Sequence, residues 1–233
     1  MKICHLSDTH LDTHDFNLIV KLPYSDVYVF TGDTLTDVLG YSGVLTNFAK
    51  EKEESVHIQE EMLKTHNLRE FFHIPNHKPV VCVRGNHDFI DIAPLFSGGP
   101  VTEIKNDWDQ VRIEGVLFSG FRGVGPLCGF YSDEKDPLQW QDTFNNAPMD
   151  NHVIVSHTPP LGVLDGEYNG FGHYGCKEYT SYLSKRCYSD LEPKACLFGH
   201  VHNQYGVIKI RDTIYSNAAI GNNLHKKANI ITI

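Results

Sequence analysis

No stretch of the chain approaches the roughly 18 to 20 apolar residues that a membrane-spanning helix needs. It opens directly on Ile3-Cys4-His5-Leu6 rather than on a basic and apolar leader, so neither a membrane partner nor export is expected. No two cysteines stand as Cys-x-x-Cys. The six present are Cys4, Cys82, Cys128, Cys176, Cys187 and Cys196, in a chain of 233 residues. A chain of that length does not need a disulfide framework, and the thiols read as free and buried in a reducing cytoplasm. Positive charge is scarce: 20 Lys and Arg stand against 29 Asp and Glu, for a net charge of -9. Only Lys185-Arg186 and Lys226-Lys227 are adjacent basic pairs. A protein that grips a long polyanion needs a basic track to displace counterions, so a nucleic acid polymer is not the expected partner and a small anionic substrate is. There is no internal repeat and no low-complexity stretch, and the length suits one large domain.

What the chain does hold is a series of short, continuous apolar runs. They are Lys2 to Leu6, Val27 to Phe30, Val80 to Val83, Val116 to Ser119, Val153 to Val155 and Ala195 to Phe198. Runs that are apolar throughout are expected of strands covered on both faces. Val207 to Ile210 and Thr213 to Ser216 read as a hairpin turned by Arg211-Asp212, and Ile230 to Ile233 as a last strand. Val44 to Phe72 reads as helix with an internal break, because propensity is high and its apolar spacing is irregular. Lys177 to Cys187 reads as a further helix. Ser97 to Pro100 and Gly120 to Pro126 read as loops, and Asp133 to Pro148 as mostly irregular. Leu161 to Gly175, rich in glycine and aromatics, reads as a shaped surface loop.

Five of the strand candidates end in the same way. The runs are followed at once by Asp8-Thr9-His10, by Gly32-Asp33, by Arg84-Gly85-Asn86-His87-Asp88, by His157, and by Gly199-His200-Val201-His202. In open sheets covered by helices, ligands gather at the carboxyl ends of strands. Asp-x-His and His-x-His put two donors on one side of an extended segment. A glycine before Asp33, Asn86 and His200 lets the backbone turn sharply and lets a metal come close. Carboxylate, imidazole and amide donors without thiolate suit Mn, Fe, Co, Ni or Zn better than Ca. Taken singly, each fragment is as well explained by a surface turn or a core histidine; five in fixed order at strand ends are not.

These residues resemble the calcineurin-like metallophosphoesterase superfamily, whose pattern is Asp-x-His, Gly-Asp, Gly-Asn-His-Asp/Glu, a strand-end His, and Gly-His-x-His. All five parts lie between Asp8 and His202. The resemblance implies a four-layer α/β/β/α sandwich with mixed sheets. It also implies two divalent metal ions, Mn foremost, one held by Asp8, His10, Asp33 and His202 and the other by Asp33, Asn86, His157 and His200. His87 would face the substrate as general acid, with Asp88 orienting it. Ser156 to Gly162, Gly172 to Cys176, Gly199 to Gly206 and Tyr215 to Ala218 are similar to the small phosphodiesterases of the metallophosphoesterase-domain-containing group. That implies small phosphodiesters, cyclic nucleotides among them. The stretch between Asp33 and Gly85 is longer than in that group, so a helical insertion around residues 40–76 is expected. Arg84 and His173 are candidate substrate contacts, with a structural salt bridge the alternative for Arg84. Asp37 is either a support for the site or a helix N-cap. His5 should point away from Asp8 by strand alternation. His14, His57, His66, His73, His77, His152 and His225 read as surface or supporting residues. A nuclease or phosphomonoesterase of the same superfamily is the rival enzyme, and a catalytically dead scaffold the rival of another class.

Overall fold

The structure, a computed structural model, describes the whole chain except residues 19, 41, 42, 149, 151, 167–171, 188, 222, 225 and 226 and the side chain of Leu45. His225, Lys226 and the middle of the 161–175 loop thus lie outside the described residues. The elements run β1 (Lys2–Leu6), β2 (Val27–Phe30), α1 (Phe48–Thr65), α2 (Leu68–Phe71), β3 (Val80–Val83), β4 (Val101–Ile104), β5 (Asp109–Ile113), β6 (Val116–Phe121), α3 (Pro137–Asn145), β7 (Val153–Ser156), α4 (Lys177–Ser184), β8 (Ala195–Phe198), β9 (Gly206–Ile210), β10 (Thr213–Asn217) and β11 (Asn229–Thr232).

Two mixed sheets form, in strand orders β11-β1-β2-β3-β4 and β5-β6-β7-β8-β10-β9. In the first, only the β1–β11 pairing is antiparallel. In the second, β6, β7, β8 and β10 run parallel, with β5 and β9 antiparallel at its edges. Successive side chains of a strand point to opposite faces, and the apolar runs divide accordingly. Ile3, Val27, Val29, Val81, Val83, Val153, Val155, Ala195 and Leu197 meet in the layer between the sheets. Their neighbours Cys4, Tyr28, Phe30, Val80 and Cys82 pack outward against Met62, Leu68 and Phe72 of the α1–α2 region. Ile154, Cys196 and Phe198 pack outward against Trp140, Tyr179 and Tyr182 of α3 and α4. The chain is therefore a four-layer α/β/β/α sandwich with mixed sheets, and both-faced burial explains why these strands are apolar throughout.

The break expected inside Val44 to Phe72 falls at His66-Asn67, between α1 and α2. The irregular apolar spacing of α1 has a cause: the residues it buries are Glu51, Ser55, Gln59 and Met62, a mostly polar face. Three elements depart from the sequence reading. β4 and β5 were not anticipated; Val101-Thr102-Glu103-Ile104 is only partly buried, and β5 alternates at a sheet edge. The 133–148 stretch is not mostly irregular but holds α3, started by a capping box between Asp136 and Gln139 with Pro137 in the first turn. Four of the six free cysteines, Cys4, Cys82, Cys176 and Cys196, are buried.

Candidate metal centre

The five segments that carry the candidate ligands leave the carboxyl ends of β1, β2, β3, β7 and β8. The parallel pairings β1–β2–β3 and β7–β8 bring those ends to one edge of each sheet. Two bonds then tie the edges together across the sandwich. Asp8 Oδ2 accepts the His200 backbone N–H at 2.9 Å, and His157 Nδ1 donates to the Thr31 carbonyl at 2.6 Å. Side chains distant in sequence thus converge on one locus.

Their donor atoms face each other. Asp8 Oδ1 lies 3.0 Å from His202 Nε2. Asp33 Oδ2 lies 3.3 Å from His157 Nε2 and 3.9 Å from His10 Nε2. Asn86 Oδ1 is 3.0 Å from His157 Nε2. Donor atoms of Asp8, His10 and His202 all lie within 4.8 Å of one another, and so do those of Asp33, His157 and His200. The His10 ring is 5.4 Å from that of His202, and the His157 ring 5.1 Å from that of His200. Each carboxylate spends its other oxygen on backbone: Asp8 Oδ2 on His200, and Asp33 Oδ1 on the His87 N–H at 2.8 Å. One oxygen of each remains turned to the histidines.

This donor set fits divalent metals. Asp8 and Asp33 are buried, and among the described residues no Lys or Arg pairs with either. Isolated carboxylates are costly to bury. Nε2 of His10 is buried without a hydrogen-bond partner. Burial holds His10 and His200 below the usual histidine range, His200 at about 4, so both are neutral, as ligation requires. Burial opposes charge on His157 too, but Asp33 and Asp8 outweigh it and push that ring up to about 10. The backbone is bent to the same end: Asp8, His10, Asp33 and His200 all have positive φ, between 41° and 71°, a strained state for such residues that collects at functional sites. Gly85 and Gly199 permit the close approach. A Cβ on Gly85 would lie 2.1 Å from Asp33 Oδ1, and one on Gly199 2.2 Å from Asp8 Oδ2.

His87 stands beside this group, its ring 5.2 Å from that of His10 and 4.9 Å from that of Tyr131. Its Nδ1 bonds Asp37 Oδ2 at 2.6 Å. This corrects the expectation for Asp88. That carboxylate is fully buried and is spent on the Thr34 and Gly85 backbone N–H groups, each at 2.9 Å; Asp88 pins the β2 and β3 loops together rather than touching His87. Burial, then the charge of Asp33, raises Asp88 to about 7. Asp37 is no helix cap either, since α1 begins at Phe48; its Oδ1 accepts the Leu39 N–H at 2.8 Å. Arg84 takes the salt-bridge alternative, reaching Asp133 at 3.3 Å and Asp91 at 3.8 Å. His173, more than half exposed, bonds Asp165 at 2.9 Å. Beside it Tyr174 lines, with Leu127, His200, Val201, His202 and Asn203, a cavity of about 260 Å³. Asp37 thus takes the supporting role that was one of its two sequence alternatives, whereas Leu127, Tyr131 and Tyr174 carry no spacing signal that marks them as site residues. His5 is buried as expected, bonded to Ser216 and Thr31. His14, His57, His73 and His77 are exposed, and His66 and His152 half-buried.

The chain matches the calcineurin-like phosphoesterase family over residues 1–204, and it belongs to that family of metal-dependent phosphoester hydrolases. It is 28% identical to a UPF0046 protein of Caenorhabditis elegans, over 94% of this chain and 69% of that one. It is 32% identical to metallophosphoesterase domain-containing protein 1 of Homo sapiens over 34% of this chain, a stretch that covers 23% of the human protein. It is 27% identical to a probable cyclic nucleotide phosphodiesterase of Coxiella burnetii, over 94% of this chain and 82% of that one. A solved structure superposes with a TM-score of 0.59 at 14% identity, covering 93% of this chain and 89% of that one, which bears on the fold alone. Among the described residues no helix is long and apolar enough to cross a membrane.

Proposed function

We propose that the chain is a phosphodiesterase for small phosphate esters, cyclic nucleotides among them, working with two divalent ions, Mn foremost. The observation that carries the reading is the position of Asp33. Its Oδ2, which takes no backbone bond, lies 3.9 Å from His10 Nε2 and 3.3 Å from His157 Nε2, within reach of both groups of donors as a carboxylate shared by two ions would be. Asp8, His10, Asp33 and His202 would hold one ion, and Asp33, Asn86, His157 and His200 the other. When bound, such a pair lowers the pKa of a water and offsets charge on the phosphoryl oxygens.

The protein's own groups supply the rest. Asp37 engages Nδ1 of His87, which leaves Nε2 as the ring nitrogen able to hand a proton to the leaving oxygen. In the metal-free protein burial opposes charge on His87, but Asp33 and Asp37 push the ring up to about 9; the Asp37 bond favours the charged form that an acid needs before transfer. General acid catalysis of this kind contributes about 10²- to 10⁴-fold. The cavity flanked by Leu127 and Tyr174 takes the ester's organic group, and His173, adjacent to Tyr174 in sequence and with Nδ1 bonded to Asp165, keeps its other nitrogen for a contact with that group. The similarity to a probable cyclic nucleotide phosphodiesterase over nearly the whole chain and the absence of a basic track in the sequence favour a small diester over a polymer.

A hydrolysis panel with added Mn tests this: an aryl monoester, an aryl diester, 2′,3′- and 3′,5′-cyclic nucleotides and single-stranded DNA. The diester and at least one cyclic nucleotide should be cleaved in preference to the monoester, and the DNA should stay intact. Preferred cleavage of the monoester or of the DNA would replace this reading with a phosphomonoesterase or a nuclease.

A further inference from the structure

The buried face of α1 is mostly polar, and Glu51, Ser55 and Gln59 each bond the loop that follows β2. Glu51 Oε2 accepts the Gly40 N–H at 2.7 Å, Ser55 Oγ accepts the Val38 N–H at 3.1 Å, and Gln59 Nε2 donates to the Thr36 carbonyl at 3.2 Å. Gln59 also holds the loop that follows β3. Its Nε2 donates to the His87 carbonyl at 2.7 Å, and its Oε1 accepts the Phe89 N–H at 2.8 Å. The residue is fully buried. One amide thus binds two loops, of which one carries Asp37 and the other His87. A buried side chain with every bond committed fixes the groups around it, because breaking any of those bonds leaves a buried polar group unpaired.

We propose that Gln59 is a positioning residue for the reaction: it sets the His87–Asp37 contact by clamping the two loops that bear these residues. The long segment between Asp33 and Gly85 would then serve the chemistry through the polar side chains that α1 buries against the two loops. This rests on the reading of His87 as the proton donor. A displacement of about 1 Å at a reacting group can cost about 10²-fold. Loss of Gln59, which makes no bond to a metal-binding side chain, should therefore act mainly on proton delivery.

The test compares Gln59→Met, which keeps the volume and removes all three bonds, with Gln59→Glu, which keeps only the acceptor for Phe89. Ser55→Ala serves as control, since it loosens the same helix from the same loop without reaching the His87 loop. Each is assayed with Mn on two phosphodiesters that share the same non-leaving ester group, one with a nitrophenolate leaving group and one with an alkoxide. Nitrophenolate departs without a proton, whereas an alkoxide needs one. Both Gln59 variants should lose about tenfold or more in kcat on the alkyl diester, a part of the about 10²- to 10⁴-fold that a general acid contributes, with KM unchanged. On the nitrophenyl diester they should stay within about twofold, and Ser55→Ala should leave the ratio of the two rates unchanged. In metal-free protein, the low-field resonance of the His87 Nδ1 proton, assigned by its loss in His87→Ala, should shift or broaden in both Gln59 variants.

Equal losses on both diesters, or wild-type ratios with an unmoved proton resonance, would overturn the proposal. His87→Ala run alongside separates the two levels. If it shows the leaving-group dependence and the Gln59 variants do not, only the clamp is wrong. If it shows none, the proton-donor reading falls and takes this proposal with it.

Discussion

Nε2 of His157 stands 3.3 Å from Oδ2 of Asp33 across the seam between the two sheets, and both side chains are buried. His157 Nδ1 is already committed to the Thr31 carbonyl, so Nε2 is the nitrogen left for a metal. Without metal, Asp33 and Asp8 overcome the cost of burial and keep this ring protonated up to about 10. Ligation needs the neutral ring.

Metal binding near neutral pH should therefore release protons, and affinity should rise with pH across that range. The sign follows from the raised value: the proton is held below about 10 and must leave before Nε2 can bind. His200, held at about 4, should contribute none. Calorimetric titration with Mn in buffers of different ionisation enthalpy measures the count, which should be close to one or more; heats that do not depend on the buffer would speak against the account.

His87→Ala should keep metal binding and lose about 10²- to 10⁴-fold in turnover of poor leaving groups. Asp37→Asn should lose less, because the imidazole stays in place but loses the carboxylate that stabilises its charged form. Asp88→Asn should act differently: its carboxylate pins the Thr34 and Gly85 backbone, so the change should appear in stability before it appears in leaving-group dependence. Steady-state kinetics and urea midpoints on the three variants distinguish these roles.

Gly199→Ala places a methyl group 2.0 Å from Ser7 Oγ and 2.2 Å from Asp8 Oδ2. These atoms belong to a buried, bonded set, so the neighbours cannot yield without breaking the Ser7–Asp8 hydrogen bond at 2.6 Å. A loss of about 1–3 kcal/mol is expected from such overpacking, together with weaker metal binding, measured by urea unfolding and metal content.

Asp136→Ala removes the acceptor for the Leu138 and Gln139 N–H groups at the start of α3. Capping residues of this kind contribute about 0.5–2 kcal/mol. The urea midpoint should fall accordingly, with kinetics unchanged, because α3 packs on the outer face of the second sheet through Trp140 rather than on the metal centre.

What could be read from the chain beforehand follows the physics of burial. Strands such as Val27–Phe30 and Val80–Val83 are covered on both faces, so their apolar runs stand out and their ends are sharp. The ligand types placed just past those ends were therefore visible as a set. The α3 start was equally encoded, in Asp136-Pro137 with Gln139, but a short helix among polar residues offers little apolar contrast. β4 and β5 were hidden for the same reason, lying at sheet edges with mixed burial. The pairing of His87 with Asp37 could not be read at all. It joins residues 50 positions apart, whereas Asp88 adjoins His87 in sequence and is turned instead to the backbone of Gly85 and Thr34.

The central claim is that Asp33 is shared between two metal ions at the joined sheet edges. Crystals grown with Mn, with anomalous diffraction recorded above the Mn edge, test it most directly. Two anomalous peaks should appear, one among Asp8, His10 and His202 and one among Asn86, His157 and His200, with an Asp33 oxygen in contact with both. A single peak, or two peaks of which Asp33 touches only one, would contradict it.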